Sequence, residues 1–275
     1  MPRNFARLLT ALLCALLLSP LAADAQKKGG GKKGKGKGKQ EQPQPQPEQQ
    51  QPPPPQAPAP PPPQVGTVDR RLWEYKTSDA RSAVEPVAGQ ADSNAAVAVA
   101  VGRVLEQEKK YGESEAKLRK ATELAPSDPA AWVWLGETYL RQRNSGAADG
   151  AFRKAAEVAG GNDYYLGVAR LRLRQYDEAV AALERARGSS FGALVPYQIG
   201  VARFSQQQWQ PAMDQLNQAI QMDSNLAFAY FYRGLTADKM KRTDILVNDM
   251  EQFLKLAPNA PEAEAAKAVL RAVKK

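Results

Sequence analysis

The stretch P-A-A-W-V-W-L-G-E-T-Y-L, Pro129 to Leu140, followed by A-D-G-A-F-R-K-A, Ala148 to Ala155, decides the fold of this chain. Its glycine, Gly136, is one of five, with Gly102, Gly167, Gly200 and Gly234, spaced 34, 31, 33 and 34 residues apart. Each opens the same order of small and bulky side chains. Twelve residues after each glycine comes Ser114, Ala148, Ala179, Ala212 or Leu246, and nineteen after it Ala121, Ala155, Ala186, Ala219 or Phe253. Sixteen after it stand Leu118, Phe152, Leu183, Leu216 and Met250, apolar bulk beside each small position. This spacing predicts a pair of helices per unit. Helix axes at a crossing lie about 8–10 Å apart, so glycine set against alanine is expected to let two antiparallel helices approach closely.

The two quoted segments resemble a tetratricopeptide repeat. That family's signature of about 34 residues, with Trp, Leu-Gly, Tyr, Ala, Phe, Ala and a closing Pro, is met by Trp132, Leu135, Gly136, Tyr139, Ala148, Phe152 and Ala155, with Gly160 where the proline belongs. The resemblance covers residues 93–275 and implies an all-α fold, an α-solenoid of about five helix pairs. The first and fifth units close on Pro126 and Pro258, the third and fourth on Phe191 and Ser224. The fifth departs further: Arg233 replaces the apolar residue before the glycine, and Leu246 and Phe253 replace small ones. Terminal repeats are commonly atypical. Pro261 to Lys275 reads as a C-terminal capping helix, with Ala266, Val269, Leu270 and Val273 on one face, Glu262 and Glu264 in its first turn and Lys274 and Lys275 in its last. Within residues 67–92, Ser78 to Gln90 spells one more helix that Pro86 kinks or ends. Thr67 to Thr77, with Trp73 and Tyr75, is apolar enough to need a surface to pack on.

The first 66 residues are of another kind. Arg3 and Arg7 precede an uncharged apolar run, Leu8 to Ala23, and Ala23-Asp24-Ala25 fits the small-x-small rule for signal peptidase. Residues 1–25 are therefore expected to be a signal peptide and Gln26 the first residue of the exported chain, in the periplasm or cell envelope of a bacterium or otherwise secreted. The run is shorter than the roughly 20 residues that span a bilayer, so no membrane span is expected after cleavage. Cys14, the only cysteine, leaves with the leader, and the chain has no histidine. Disulfides, thiol nucleophiles, imidazole bases and the usual zinc sites are thereby excluded from the exported chain. Acidic residues such as Glu106, Glu113 and Glu115 read as solvated helix faces, and no Gly-rich phosphate loop is present. The sequence predicts no enzyme, no metal site and no cofactor.

Residues 26–39 hold seven lysines among glycines and no aromatic side chain, a disordered composition. Lys27 to Lys39 would be drawn weakly to any polyanion or would serve only to solubilise. Residues 40–66 follow as a Pro/Gln-rich linker holding twelve of the 21 prolines, an extended polyproline II tether of about 75 Å at roughly 3.1 Å per residue. Of the net charge of +9, residues 1–66 carry +6 and the remainder +3. Specific nucleic-acid recognition is not expected, because the basic tail has no interleaved aromatics.

In arrays of the family that this one resembles, the first helices of successive units line a concave face. Carried over position by position, the resemblance places Val99, Val133, Tyr164, Tyr197 and Phe231 at fifth positions and Ala100, Trp134, Tyr165, Gln198 and Tyr232 at sixth. Phe228 takes a second position and Phe204 a twelfth, and Gln107, Arg141, Arg172, Ser205 and Lys239 take the thirteenth. The candidate partner groove is thus Trp134, Arg141, Tyr164, Tyr165, Arg172, Tyr197, Phe204, Phe228 and Phe231. Each aromatic either contacts a partner or packs between neighbouring first helices. Trp132, Tyr139 and Tyr230 fall where the family packs internally. The clamp with which chaperone-binding members hold a C-terminal carboxylate is absent, since Val99 and Arg103 stand there. Two readings remain open: an adaptor that binds a segment of another protein, with Arg141 and Arg172 taking its acidic groups, or a structural protein self-associating through the same face.

Overall fold

The computed structural model of the protein describes residues 71–72 and 74–273. The expected leader at 1–25, the lysine segment at 26–39, the linker at 40–66, residues 67–70, Trp73 and the last two lysines lie outside the described residues. Among the described residues the chain is all helical. Helix α1, Thr77–Val84, runs into a 3₁₀ turn, Glu85–Gln90, with Pro86 early in that turn. Five helix pairs follow: α2, Ala95–Gln107, with α3, Tyr111–Leu124; α4, Pro129–Arg141, with α5, Ser145–Val158; α6, Asp163–Arg172, with α7, Tyr176–Arg185; α8, Leu194–Ser205, with α9, Trp209–Met222; and α10, Ala227–Lys239, with α11, Thr243–Leu256. Helix α12, Ala263–Val273, packs on α11. Within the five pairs each helix packs most heavily on its partner, and the second helix of each unit packs next on the first helix of the following one, the pattern of a solenoid.

The five glycines explain the tight pairing, but not through alanine alone. A Cβ on Gly102 would lie 2.6 Å from Leu118 Cγ, one on Gly136 2.6 Å from Phe152 Cε1, one on Gly167 2.5 Å from Leu183 Cγ and one on Gly200 2.7 Å from Leu216 Cγ. In the fifth unit Met250 Cε would be 2.8 Å from a Cβ on Gly234. The residue sixteen positions on therefore sits over the glycine, and the missing Cβ is the room it occupies. The small residue twelve positions on brings the backbones together: Ala179 O would be 3.1 Å from a Cβ on Gly167, and Ser114 Oγ donates to Gly102 O at 2.8 Å. Ser114 Oγ also lies 3.0 Å from Thr138 Oγ1, a buried hydroxyl pair that joins the first unit to the second.

Every turn inside a pair is built alike. Seven residues after each glycine, Lys109, Arg143, Arg174, Gln207 and Lys241 adopt φ of 60–63°. Each N–H reaches back to the carbonyl three residues earlier, and the next N–H to the carbonyl five residues earlier, as in Lys109 to Glu106 at 2.9 Å and Lys110 to Leu105 at 2.9 Å. This is the Schellman closure of a helix C-terminus, here with no glycine at the left-handed position. Helices α2, α4 and α6 are capped at their starts by Asn94, Asp128 and Asn162, whose side chains accept backbone N–H groups.

The irregular fifth unit has its own logic. Arg233 Nε and Nη2 donate to the two oxygens of Asp249 at 2.8 and 2.7 Å, and Nη1 donates to Asn217 Oδ1 at 2.9 Å. An ion pair replaces an apolar contact between the two helices. Leu246 and Phe253 are buried, and the Phe253 ring lies 5.4 Å from Phe228 and 4.9 Å from Phe231. The last helix begins at Ala263 rather than Pro261 and buries Ala263, Ala266 and Val269. Glu262 precedes the helix and is buried rather than solvated in a first turn.

Candidate functional site

The first helices α2, α4, α6, α8 and α10 stand in a row, each touching the next, and their inward positions line one face. The structure divides the nine candidate residues. Tyr164, Tyr197, Phe204 and Phe231 are buried: Tyr197 and Phe204 pack between α8 and α10, and Phe231 packs on Phe253 of α11. Tyr164 stacks on Phe191 with centroids 3.8 Å apart. Tyr197 and Phe204 both present edges to Tyr232, at 6.1 and 5.7 Å. Trp134, Tyr165 and Phe228 are half-buried and remain the accessible aromatic surface, joined by Tyr232. Over Trp134 lies the Arg103 guanidinium, 4.0 Å from the ring centroid, a cation–π contact. Phe191, standing where the third unit's closing proline was expected, also packs edge-on to Tyr165 at 5.4 Å.

Arg141 and Arg172 are not bare cations. Arg141 Nε donates to Glu106 Oε1 at 2.9 Å and Nη1 to Glu262 Oε1 at 3.4 Å. Arg172 Nε donates to Glu137 Oε1 at 2.5 Å. Burial alone would lower both guanidinium pKa values, but Glu106, Glu262 and Glu137 around Arg141, and Glu137 with the Tyr232 phenol beside Arg172, outweigh it and hold them above the ordinary arginine value. Burial in turn pushes the Glu106 carboxyl up, against the pull of Arg141. Glu106 is thus part of this inner face, with its side chain 15 % exposed, and not a solvated helix position. A signal for these pairs existed in the sequence: Glu106 and Glu137 each precede their arginine by 35 residues, about one repeat, which sets acid and base on neighbouring first helices.

The flanks of the array reach the same face. Tyr75 lies 5.8 Å from Phe228, ring to ring. Gln107 holds the segment behind it, donating through Nε2 to Leu72 O at 2.9 Å and accepting from Thr77 Oγ1 at 2.9 Å. Burial first, then the carboxylates of Glu106 and Glu262, push the Tyr75 phenol above its ordinary value. Thirteenth positions of the first two units, expected to meet a partner, therefore hold this chain's own N-terminal and C-terminal flanks. Sequence reading showed only that the apolar stretch around Tyr75 needs a surface to pack on; it did not say which, because Leu72, Tyr75 and Glu262 fall outside the five repeat units.

Among the described residues no cluster of His, Cys, Asp and Glu could hold a metal ion, and no helix is long and apolar enough to cross a membrane. The model of the tetratricopeptide repeat family matches residues 163–188, the third unit from α6 through α7. With their pairwise helix packing, the described residues have the fold of a tetratricopeptide-repeat solenoid. Its fold is similar to that in the crystal structure of the APC/C hetero-tetramer Cut9–Hcn1, at 18 % identity and a TM-score of 0.56, over 77 % of this chain and 43 % of that one. This chain thus spans less than half the length of that relative. It is also similar to TTC0263, a thermophilic tetratricopeptide-repeat protein of Thermus thermophilus, at 17 % identity and a TM-score of 0.52, over 63 % of this chain and 97 % of that one. No curated protein matches the sequence.

Proposed function

We propose that the protein is a non-catalytic interaction scaffold, an exported and tethered adaptor whose row of first helices binds a segment of another protein. One observation carries the reading: Trp134, Tyr165, Phe228 and Tyr232, at second and sixth positions of first helices that also carry Arg141 and Arg172, are only partly buried. Exposed apolar patches on a folded surface mark interaction sites, and a solenoid presents such a surface in place of an enclosed pocket. Residues 1–25 act as the cleaved leader, 40–66 as the tether, and Lys27 to Lys39 add weak, salt-sensitive attraction to polyanions.

Placing a photoreactive residue at Tyr165, in cells, tests this. A crosslink to a different protein is expected from position 165 and none from Leu124, 38 % exposed on the second helix of its pair. Equal yield from both positions would remove the assignment. A crosslink to a second copy, with a light-scattering mass that rises with concentration, would favour self-association instead. Sequencing of the exported chain checks the leader, with Gln26 as its expected first residue.

A further inference from the structure

Two segments outside the repeats occupy the face to which binding is assigned. Tyr75, from the stretch ahead of α1, sits against Phe228 of the fifth unit. Glu262, from the turn ahead of α12, reaches Arg141 of the second unit across 121 positions of sequence. Each flank thus contacts a first helix belonging to the far part of the array, so together they bridge the face from both ends.

The two contacts differ in quality from the helix packing around them. Glu262 is 8 % exposed, its one contact with Arg141 is long at 3.4 Å, and its other oxygen, Oε2, is buried and takes no hydrogen bond from any described residue. A buried carboxylate oxygen left unpaired costs free energy, so the closed arrangement carries a penalty that a better-fitting ligand would relieve. Arg141 does not depend on Glu262, because Glu106 holds its Nε at 2.9 Å. Phe228 likewise keeps Phe231 and Phe253 at 6.2 and 5.4 Å when Tyr75 leaves. Both side-chain contacts can therefore break without unmaking the repeats, while Leu72 keeps the N-terminal flank anchored in the core of the first unit.

We propose that Tyr75 and Glu262 are an internal plug standing where a partner's side chains dock, and that the partner is a protein segment presenting an aromatic ring to Phe228 and a carboxylate to Arg141. This rests on the scaffold reading above and names its ligand chemistry. Binding then requires displacement of the plug, so the apparent affinity of the face is its intrinsic affinity multiplied by the fraction of chains in which it is open.

The probe is a library of random twelve-residue peptides displayed on phage, selected on the full chain and on its Tyr75→Ala, Glu262→Gln double variant. Peptides combining an aromatic residue with Asp or Glu are expected from both, and a synthetic copy of the leading peptide is expected to bind the double variant about tenfold more tightly. Arg141→Gln in the double variant should abolish the preference for the acidic residue while aromatic selection persists. Hydrogen exchange separates the plug from the scaffold reading: amides near residues 72–76 and 260–262 should exchange faster in the double variant while the α2–α11 amides do not. Unchanged exchange in those flanks, or equal peptide affinity for both chains, overturns the plug. Faster flank exchange with no selected peptide overturns the ligand and, with it, the scaffold reading. Circular dichroism of every variant confirms that the repeats remain folded.

Discussion

Arg233 and Asp249 form a two-point ion pair between α10 and α11, with Asp249 only 2 % exposed. Burial holds the Asp249 carboxyl above its ordinary pKa even with Arg233 beside it, so the aspartate is tolerated rather than strongly stabilising. Removing one partner of a buried pair costs about 3–5 kcal/mol, whereas replacing both with apolar side chains is often neutral or better. Arg233→Leu should therefore lower stability by about that amount, and Arg233→Leu with Asp249→Leu should recover most of it, as read by urea denaturation. The sign of the pH dependence follows from the raised pKa. Protonation of Asp249 is favoured in the folded state, so its contribution is most favourable below the unfolded carboxyl pKa and is lost as pH rises through the folded one. The deficit of Arg233→Leu should accordingly shrink as pH falls from 7 towards about 4.

Helical glycines should respond to alanine in opposite directions according to what lies over them. At Gly136 a Cβ would sit 2.6 Å from the Phe152 ring, and at Gly150, inside α5, it would meet nothing within 4 Å. Overpacking costs about 1–3 kcal/mol, more than the roughly 1 kcal/mol gained in helix propensity. Gly136→Ala is expected to lower the melting temperature and Gly150→Ala to raise it slightly. Shortening the facing ring by Phe152→Leu should make Gly136→Ala less costly than it is alone.

Left-handed turn residues offer the reverse case. Gln207, at φ 60°, is exposed and pays the Cβ penalty that glycine avoids. Gln207→Gly should stabilise by about 0.5–1 kcal/mol, since the lost strain outweighs the added freedom of the unfolded chain. Gln207→Val should destabilise, because a β-branched residue fits that region poorly. Thermal melts of the two variants give the comparison directly.

How far the sequence could be read depended on whether a contact recurs. Gly136 and Phe152 meet in the same way as their counterparts in every other unit, so periodicity alone announced the helix pairs, although it set alanine against each glycine where the residue sixteen positions on in fact stands. The groove was legible only as far as its register. Spacing could place Tyr164 and Tyr165 on the inner half of a first helix, but it could not say that Tyr164 would be buried against Phe191 while Tyr165 stayed only partly buried. That division depends on the tilt between neighbouring helices. Contacts made once, such as Tyr75 with Phe228 and Glu262 with Arg141, follow from how far the array curls, and no local pattern encodes it.

That same division makes the binding face testable by paired substitutions. Tyr197 is buried between first helices, and its truncation to alanine should cost about 3–5 kcal/mol. Partner loss in that variant would report instability of the array. Tyr165 makes two edge-on ring contacts, with Tyr164 at 5.3 Å and Phe191 at 5.4 Å, each worth about 0.5–1.5 kcal/mol, and retains an accessible face. Tyr165→Ala should therefore cost less stability than Tyr197→Ala while losing more partner at a temperature where circular dichroism shows both arrays folded. If the two variants instead lost binding in proportion to their melting temperatures, Tyr165 would be packing alone, and the accessible aromatic strip would shrink to Trp134, Phe228 and Tyr232.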